Sequence, residues 1–226
     1  MFGNFFINFA AKSRRSAVAA EAGARGIQYL VHFTRIENLV SILNHGLMTR
    51  KSLDEKKLSY CFNDSERLDN LPDTISLSVT SPNYKMFWKY RQSDKSAKWI
   101  IIRLHAYQVL SSLECAFNFT NAANHEVRDT PIADRKEISA FQKIFYDSED
   151  DIRQKCELKN NEPTDPQAEV LCFNSIQLNF FEGIVFFNQE QYSPMASLFD
   201  NLKECDIKLY PNGDCYFAPR HDWRYW

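Results

Sequence analysis

The order of apolar and polar residues predicts a strand followed by a helix near the beginning of the chain. Residues 28–33 are rich in β-branched and aromatic side chains, which is the composition of a buried strand. Between residues 36 and 45 the apolar side chains recur every three or four positions, a spacing that places them on one face of a helix. Gly46 follows directly, and glycine is the residue that most often ends a helix. We therefore expect a strand, a helix and a sharp helix end in this order.

Beyond this point the same patterns predict a mixture of short elements. Residues 49–73 are polar, so we expect a long loop there, and loops of that length inside compact domains are usually functional or disordered. Helices are predicted over residues 84–90 and 131–146. Strands are predicted over residues 74–79, 99–104, 117–120, 168–173, 183–187 and 207–210. Short strands with helices between some of them indicate an α+β fold.

The first 26 residues differ in character from the rest of the chain. A short apolar run over residues 5–11 precedes several basic residues, which reverses the order of charge and apolar run in a secretion signal. The following stretch is rich in alanine. We predict that residues 1–26 form an N-terminal helical extension, with a loosely ordered tail as the alternative. Residues 27–226 then form a single domain.

Composition narrows the class of protein. Hydrophobic residues make up 44% of the chain and charged residues 25%, as in ordinary soluble proteins. No run approaches the roughly 18 apolar residues of a membrane span, so we expect a soluble protein that does not contact a membrane. The absence of a secretion signal and of a disulfide framework predicts a reducing cytoplasm. The 6 cysteines are spread out, without a C-x-x-C pair or the spacing of zinc ligands. This pattern predicts free thiols and no metal site.

One local basic segment is a candidate for nucleic-acid binding, although the formal net charge is −2. From Lys85 to Arg103 the cations outnumber a single acid, Asp94, and four aromatic residues are interleaved with them. Cations bind phosphates and aromatic rings stack on bases, so Lys85, Lys89 and Arg91 are candidate contacts. The alternative is an ordinary helix and strand whose rings are core and whose lysines are solvated.

Two polar side chains lie close to the end of the first predicted strand. His32 and Thr34 are two residues apart and therefore share one face of the strand, where they could hold a ribose or a phosphate. Phosphoesterases use two such H-x-T motifs that face each other, but no other histidine of this chain has Thr or Ser two residues later. A structural histidine beside the core is the remaining alternative.

Two charged residues are further candidates. Glu169 stands where a turn feeds an apolar strand, so its carboxylate can face a cleft, bind a sugar hydroxyl and stabilise a developing positive charge. Arg67 lies within the predicted long loop. Taken alone, each residue has an ordinary alternative as a surface side chain.

Several segments together resemble the DarT family, the toxins of toxin–antitoxin pairs that ADP-ribosylate bases of single-stranded DNA. Residues 28–47, which begin Q-Y-L-V-H-F-T, resemble the opening motif of the family, and residues 167–171, which read Q-A-E-V-L, resemble its catalytic segment. Between them, Ser81-Pro82 with Met86-Phe87 is similar to the family's S-P-M segment, and residues 121–123 are similar to its N-A-A turn. The matches occur in order along the chain.

The resemblance implies an ADP-ribosyltransferase-like fold, in which helices flank a central, split and mostly antiparallel sheet. It also implies NAD as co-substrate, single-stranded DNA as acceptor and a cognate antitoxin protein as partner; RNA stays open because single-strand grooves accept both nucleic acids. Glu169 would bind the nicotinamide ribose and stabilise the oxocarbenium-like state, and Arg67 would contact NAD and help deprotonate the acceptor base. The NAD site would be lined by His32, Phe33, Thr34 and Ser41.

Two departures from the family pattern concern the acceptor base. Thymine-modifying members carry an aromatic strand where this chain reads I-S-L-S-V over residues 75–79, and residues 83–85 are inserted after Ser81-Pro82. Both segments are expected near the acceptor, so guanine and adenine stay open beside thymine. An H-x-T phosphoesterase and a binding module without NAD turnover are the competing functions.

Overall fold

The computed structural model describes residues 2–62, 71–147, 151–202 and 206–226. Within these ranges the α-helices are α1 Phe2–Ala24, α2 Leu39–His45, α3 Arg50–Glu55, α4 Tyr84–Ser93, α5 Ala106–Ser112, α6 His125–Arg128, α7 Ile138–Lys143, α8 Ile152–Lys155 and α9 Gln189–Tyr192. The strands are β1 Tyr29–Arg35, β2 Ile75–Val79, β3 Trp99–His105, β4 Cys115–Asn118, β5 Glu169–Cys172, β6 Phe181–Phe186 and β7 Lys208–Tyr210. Turns of 3-10 helix cover Ile36–Asn38, Asp134–Lys136, Leu178–Phe180, Ser193–Leu202, Asp214–Tyr216 and Trp223–Tyr225.

The strands of the described residues form a seven-stranded sheet in the order β4-β5-β2-β1-β3-β6-β7. Neighbouring strands are antiparallel except for β6 and β7, which are parallel. β1 pairs with β3 along its whole length, but with β2 it shares only two residue pairs, Leu30 with Val79 and Val31 with Ser78. The pairing of β1 with β2 therefore stops after Val31. The predicted α+β class with a split, mostly antiparallel sheet is confirmed.

Apolar side chains cover both faces of the sheet, because successive residues of a strand point to opposite sides. On one face, Leu77 and Leu104 belong to a core that includes residues of α1, α5 and α7. On the other face, Ile101 packs with Phe87 of α4 and with Phe217 near the end of the chain. α4 therefore packs on the sheet through Phe87. Its other sides face solvent or the space beside β1.

The N-terminal segment is helical and packs on the domain. Val18, Ala19 and Ala22 of α1 are almost fully buried in the core that also contains α5 residues, which favours the helical alternative over a loose tail. The domain boundary at residue 26 stays a prediction. Although α1 has 23 residues, no helix of the described ranges combines the length and the apolar character needed to cross a membrane.

The segment predicted as one long loop contains a helix instead. α3 occupies its first part, and the hydroxyl oxygen of Thr49 caps it by accepting a hydrogen bond from the amide of Ser52. Ser, Thr, Asp and Asn at this position satisfy one of the backbone N–H groups that a helix start leaves unpaired. The polar composition hid this short helix, because none of its residues is buried.

Two other predicted elements have different bounds. The helix expected over residues 131–146 is divided into the 3-10 turn Asp134–Lys136 and α7, because Glu137 between them has extended backbone angles. The strand expected over residues 117–120 is β4, which begins and ends two residues earlier than predicted. α5 was not predicted at all.

Gly46 ends α2 as expected, and the structure gives the reason. Its φ angle is +76°, and a Cβ atom there would lie 2.4 Å from the carbonyl oxygen of Ile176. The close approach allows Leu47 to form a β-bridge with Ile176. Only glycine has both the conformational freedom and the space for this turn.

A buried ion pair fixes residues 220–226 to the domain. The guanidinium of Arg220 donates to the two carboxylate oxygens of Asp222 at 2.6 and 2.5 Å, and to the carbonyl oxygen of Pro163 at 2.6 Å. The indole N–H of Trp226 donates to the same carboxylate at 2.9 Å. Burial by itself would raise the pKa of Asp222, but the hydrogen bonds and charge of Arg220 hold that pKa below its ordinary value.

We expect Asp222→Asn to lower the free energy of unfolding by about 3–5 kcal/mol at neutral pH, because Arg220 then stays buried without a counter-charge. Since the pKa of Asp222 is lower in the folded than in the unfolded chain, its stabilisation is present above a pH of about 4 and is lost as the pH falls through the folded-state pKa. Urea unfolding at neutral and acid pH measures both effects. Asp129→Asn, at an exposed site, is the control, and equal losses in the two variants would contradict the expectation.

Candidate active site

A cavity of about 640 Å³ lies where β1 and β2 stop pairing. Its walls come from β1, β2, α2, α3, α4 and the start of β5. The volume is within the range of roughly 300–1,000 Å³ that small-molecule sites occupy. The cavity brings together these residues of the predicted site: His32, Phe33, Thr34, Ser41, Lys89 and Glu169.

The imidazole of His32 spans the split in the sheet. Its Nδ1 atom lies 2.9 Å from the carbonyl oxygen of Ser76, so the side chain replaces a backbone bond between the two strands. A carbonyl oxygen only accepts hydrogen bonds, and Nδ1 therefore carries the proton. This hydrogen bond fixes the position of the ring in the cavity wall.

Asn38 connects the end of β1 to the segment that follows α3. Its amide nitrogen donates to the hydroxyl oxygen of Thr34 at 2.9 Å and to the carbonyl oxygen of Cys61 at 2.8 Å. Its amide oxygen accepts from the backbone N–H of Cys61 at 2.7 Å. These bonds hold the neighbouring rings of Tyr60 and Phe62 in the cavity wall. Nothing in the residue pattern of the sequence had singled out Asn38.

Glu169 begins β5 and is held by the N-A-A turn. Its Oε2 atom accepts from the backbone N–H of Ala122 at 2.8 Å, and its side chain is 6% exposed. The side-chain oxygen of Asn121 accepts from the N–H of Ala123 at 2.8 Å, which shapes the turn. β5 is paired on both sides, with β4 and β2, so its first residue has a fixed position. The carboxylate is therefore presented to the cavity in one orientation.

The charges of the cavity are of both signs. Among the described lining residues, the cations are Arg50 and Lys89 and the anion is Glu169. Arg50 is the first residue of α3, and its guanidinium lies 5.5 Å from the ring centre of Phe62. Cations suit phosphate groups and a carboxylate suits a sugar, so the arrangement fits a dinucleotide. Arg50 was missed because its segment was expected to be a loop.

α4 contributes one side of the cavity through residues with helical spacing. Met86, Lys89, Tyr90 and Ser93 line the space, three or four residues apart. Asn83 caps the helix, since its Oδ1 accepts from the N–H of Met86 at 3.1 Å. Its Nδ2 atom is buried and has no hydrogen-bond partner among the described residues. The first of the inserted residues, Asn83, thus starts α4 and contributes to the cavity wall.

Three residues of the predicted site are elsewhere or not described. The amine of Lys85 lies 5.3 Å from the ring centre of Trp226, outside the cavity. Arg91 donates to the carbonyl oxygen of Phe217 at 2.6 Å, and burial lowers the pKa of its guanidinium. The Arg91 side chain therefore connects α4 to the segment around Phe217. Arg67 lies outside the described residues.

The cysteines and the acidic residues show no metal centre in the ranges that the structure covers. No group of three or more His, Cys, Asp or Glu side chains there is arranged to hold a metal ion. Cys205 lies outside the described ranges. The free thiols are Cys61, Cys115, Cys156, Cys172 and Cys215.

A family model described as "ssDNA thymidine ADP-ribosyltransferase, DarT" matches residues 31–217. The chain belongs to the DarT family. The resemblance seen in the sequence motifs is thereby confirmed, and the matched range runs from before His32 to beyond Glu169. Residues 218–226 lie outside it. No match was found among curated proteins.

Solved structures of DarT proteins share the fold. One is the Thermus sp. 2.9 DarT in complex with ADP-ribosylated ssDNA, with a TM-score of 0.59 and 14% identity over 85% of this chain and 97% of that chain. The same protein in complex with NAD+ has a TM-score of 0.55 and 14% identity over 85% and 98%. The Thermosipho africanus DarTG in complex with ADP-ribose has a TM-score of 0.56 and 15% identity over 84% of this chain. The chain spans about half, 51%, of the Thermosipho protein.

We expect Asn38→Ala to loosen the wall that contains Cys61, because three hydrogen bonds of the side chain are lost. Each is worth about 1 kcal/mol, so amide hydrogen exchange at Cys61 should accelerate at least about tenfold. Asn44→Ala, at an exposed position of α2, is the matched control. Unchanged exchange at Cys61 in Asn38→Ala would show that the segment is held by other contacts.

Proposed function

We propose that this chain transfers ADP-ribose from NAD+ onto a base of single-stranded DNA. Membership in a family described as ssDNA thymidine ADP-ribosyltransferases supports the reaction, and the similar Thermus structures are titled as complexes with NAD+ and with ADP-ribosylated ssDNA. The observation that carries the proposal is the position of His32 and Glu169 in the same cavity, although they come from opposite halves of the split sheet.

NAD+ binds along the cavity by the chemistry of its parts. Arg50 binds the diphosphate, since charge-assisted hydrogen bonds to phosphate are strong. The ribose lies beside the imidazole of His32, and Thr34 and Ser41 provide hydroxyl groups in the same part of the cavity. Phe33 contributes the apolar surface of the same wall and stacks on Phe87, with ring centres 4.7 Å apart.

Glu169 stabilises the charge that develops during the transfer. The bond between the ribose carbon and the nicotinamide nitrogen breaks, nicotinamide leaves with the bonding electrons, and the ribose carbon gains positive character. A carboxylate in a poorly hydrated site interacts strongly with such a charge. The N–H of Ala122 keeps this carboxylate in place, so little reorganisation is needed during the reaction. The acceptor base then forms the new bond to this carbon and loses a proton, a step in which Arg67 is expected to assist.

The acceptor base faces a wall rich in hydrogen-bonding groups. Ser76 and Ser78 of β2 and Asn83 line the cavity. Thymine, guanine and adenine all carry acceptor atoms for a hydroxyl donor, so DNA containing each base belongs in the assay. We also propose that the chain acts in the cytoplasm as the toxin of a toxin–antitoxin pair, restrained by a cognate antitoxin protein.

Glu169→Gln tests the chemistry without changing the shape of the site. Glutamine can still accept the hydrogen bond of Ala122 but lacks the negative charge, so ADP-ribose transfer should fall by about a hundredfold or more while the fold is kept. Labelled NAD+ mixed with single-stranded DNA and RNA of defined sequence measures the transfer. Glu126→Gln, on an exposed side chain, is the control. Wild-type protein that is folded but labels no strand would refute the proposed function, and labelling of RNA alone would reassign the acceptor.

Lys89→Ala tests the contact with the strand at the cavity wall. We expect weaker binding of single-stranded DNA whatever its sequence, and a slope of log affinity against log salt that is reduced by about 1. Lys95→Ala, from the same basic segment but outside the cavity, is the control. An unchanged salt dependence in Lys89→Ala would remove this residue from the strand contact.

A further inference from the structure

The outer surface of α4, next to the cavity, carries exposed aromatic rings and cations. Successive residues of a helix are rotated by 100°, so Lys89, Lys85 and Trp88 follow one another around the helix, in that order, from the cavity side towards solvent. Lys89 lines the cavity, and the Trp88 side chain is 62% exposed. Phe87 occupies the opposite, buried side of the helix. The outer side of α4 is thus cationic and aromatic although its inner side is core.

The segment of residues 220–226 extends this surface. The ring centre of Trp226 lies 5.3 Å from the amine of Lys85, and Trp223 begins the 3-10 turn that ends directly before Trp226. Trp223 is 50% and Trp226 40% exposed. We call the surface formed by Lys85, Trp88, Lys89, Trp223 and Trp226 the aromatic track.

The aromatic track is held in place and is positively charged. The one acid within residues 220–226, Asp222, is buried and neutralised by Arg220. The exposed Arg224 adds a further cation, with its guanidinium 5.4 Å from the ring centre of Trp223. Exposed tryptophans are costly to hydrate, and alternation of rings with cations is the chemistry that binds bases and phosphates of a single strand.

We propose that the aromatic track binds the part of a single-stranded DNA that flanks the acceptor base. The inference rests on the proposed function and adds a strand path that leaves the cavity at Lys89 and passes over Lys85 and Trp88 to Trp226 and Trp223. Phosphates contact the lysines and unpaired bases stack on the indoles. Residues 218–226 lie beyond the range matched by the family model, so this part of the path belongs to the chain's own sequence.

Tryptophan fluorescence tests the contact directly in the full chain without NAD. The tryptophans are Trp88, Trp99, Trp223 and Trp226, and of these only Trp99 is buried, at 4% exposure. Mixed-sequence single-stranded DNA of about 16 nucleotides should quench the emission, because bases stack on the exposed indoles. If this DNA does not quench the emission, the exposed rings contact a protein partner or solvent instead, and the proposal is wrong.

Length dependence separates the aromatic track from the cavity. Wild-type protein should bind the strand of about 16 nucleotides at least about tenfold more tightly than one of about 4 nucleotides. Trp88→Ala should lose most of that gain, and so should Trp226→Ala if thermal unfolding shows that it stays folded. Trp88 is 62% exposed, so we expect its replacement to leave the packing of α4 intact. Tyr107→Ala is the control, since this ring on α5 is 63% exposed.

The outcomes for the aromatic track and for the proposed function are distinguishable. Equal affinity of wild-type protein for both lengths, or an equal loss in Tyr107→Ala, overturns the aromatic track even where labelled NAD+ modifies DNA. RNA that binds and quenches while DNA does not overturns the assignment to DNA. Quenching and length dependence without any transfer of label would leave the strand path standing and refute the proposed function instead.

Discussion

The site depends on the short pairing between β1 and β2. The two strands share only the pairs formed by Leu30 and Val31, after which the hydrogen-bonded ladder ends. Where two strands separate, their backbone N–H and C=O groups lose their partners. The imidazole of His32 donates a hydrogen bond to the carbonyl oxygen of Ser76, so this group stays paired. One side chain thereby stabilises the split and faces the cavity that the split creates. A continuous ladder at this position would close the cavity that residues from both halves of the sheet line.

The cavity wall is fixed by hydrogen bonds from residues outside the chemistry. The N–H of Ala122 holds Glu169, and the carboxamide of Asn38 holds the backbone of Cys61. Such bonds fix groups in advance, so that the free energy of binding is not consumed by ordering them. The C-terminal segment follows the same rule, since the buried Asp222 holds the indole of Trp226 beside Lys85 of α4.

Local patterns predicted the main strands and the helix that ends at Gly46, because strand alternation and helical spacing are properties of a few consecutive residues. The short α3 escaped prediction, since its stability comes from the Thr49 cap and its contacts rather than from an apolar face. For Arg91, in contrast, the sequence suggested a role that the structure does not show. Its place in a basic segment suggested a phosphate contact, but the structure uses it to bind the carbonyl of Phe217.

The sequence by itself determined the α+β class, the family resemblance and the candidate roles of His32 and Glu169, because motifs and periodicity are written in consecutive residues. Only the tertiary structure decided which distant residues share the cavity, among them Arg50, Asn38 and Asn83. The reason is physical. A side chain joins a site through the register of strands and the packing of helices, and both are set by contacts between segments that are far apart in the chain.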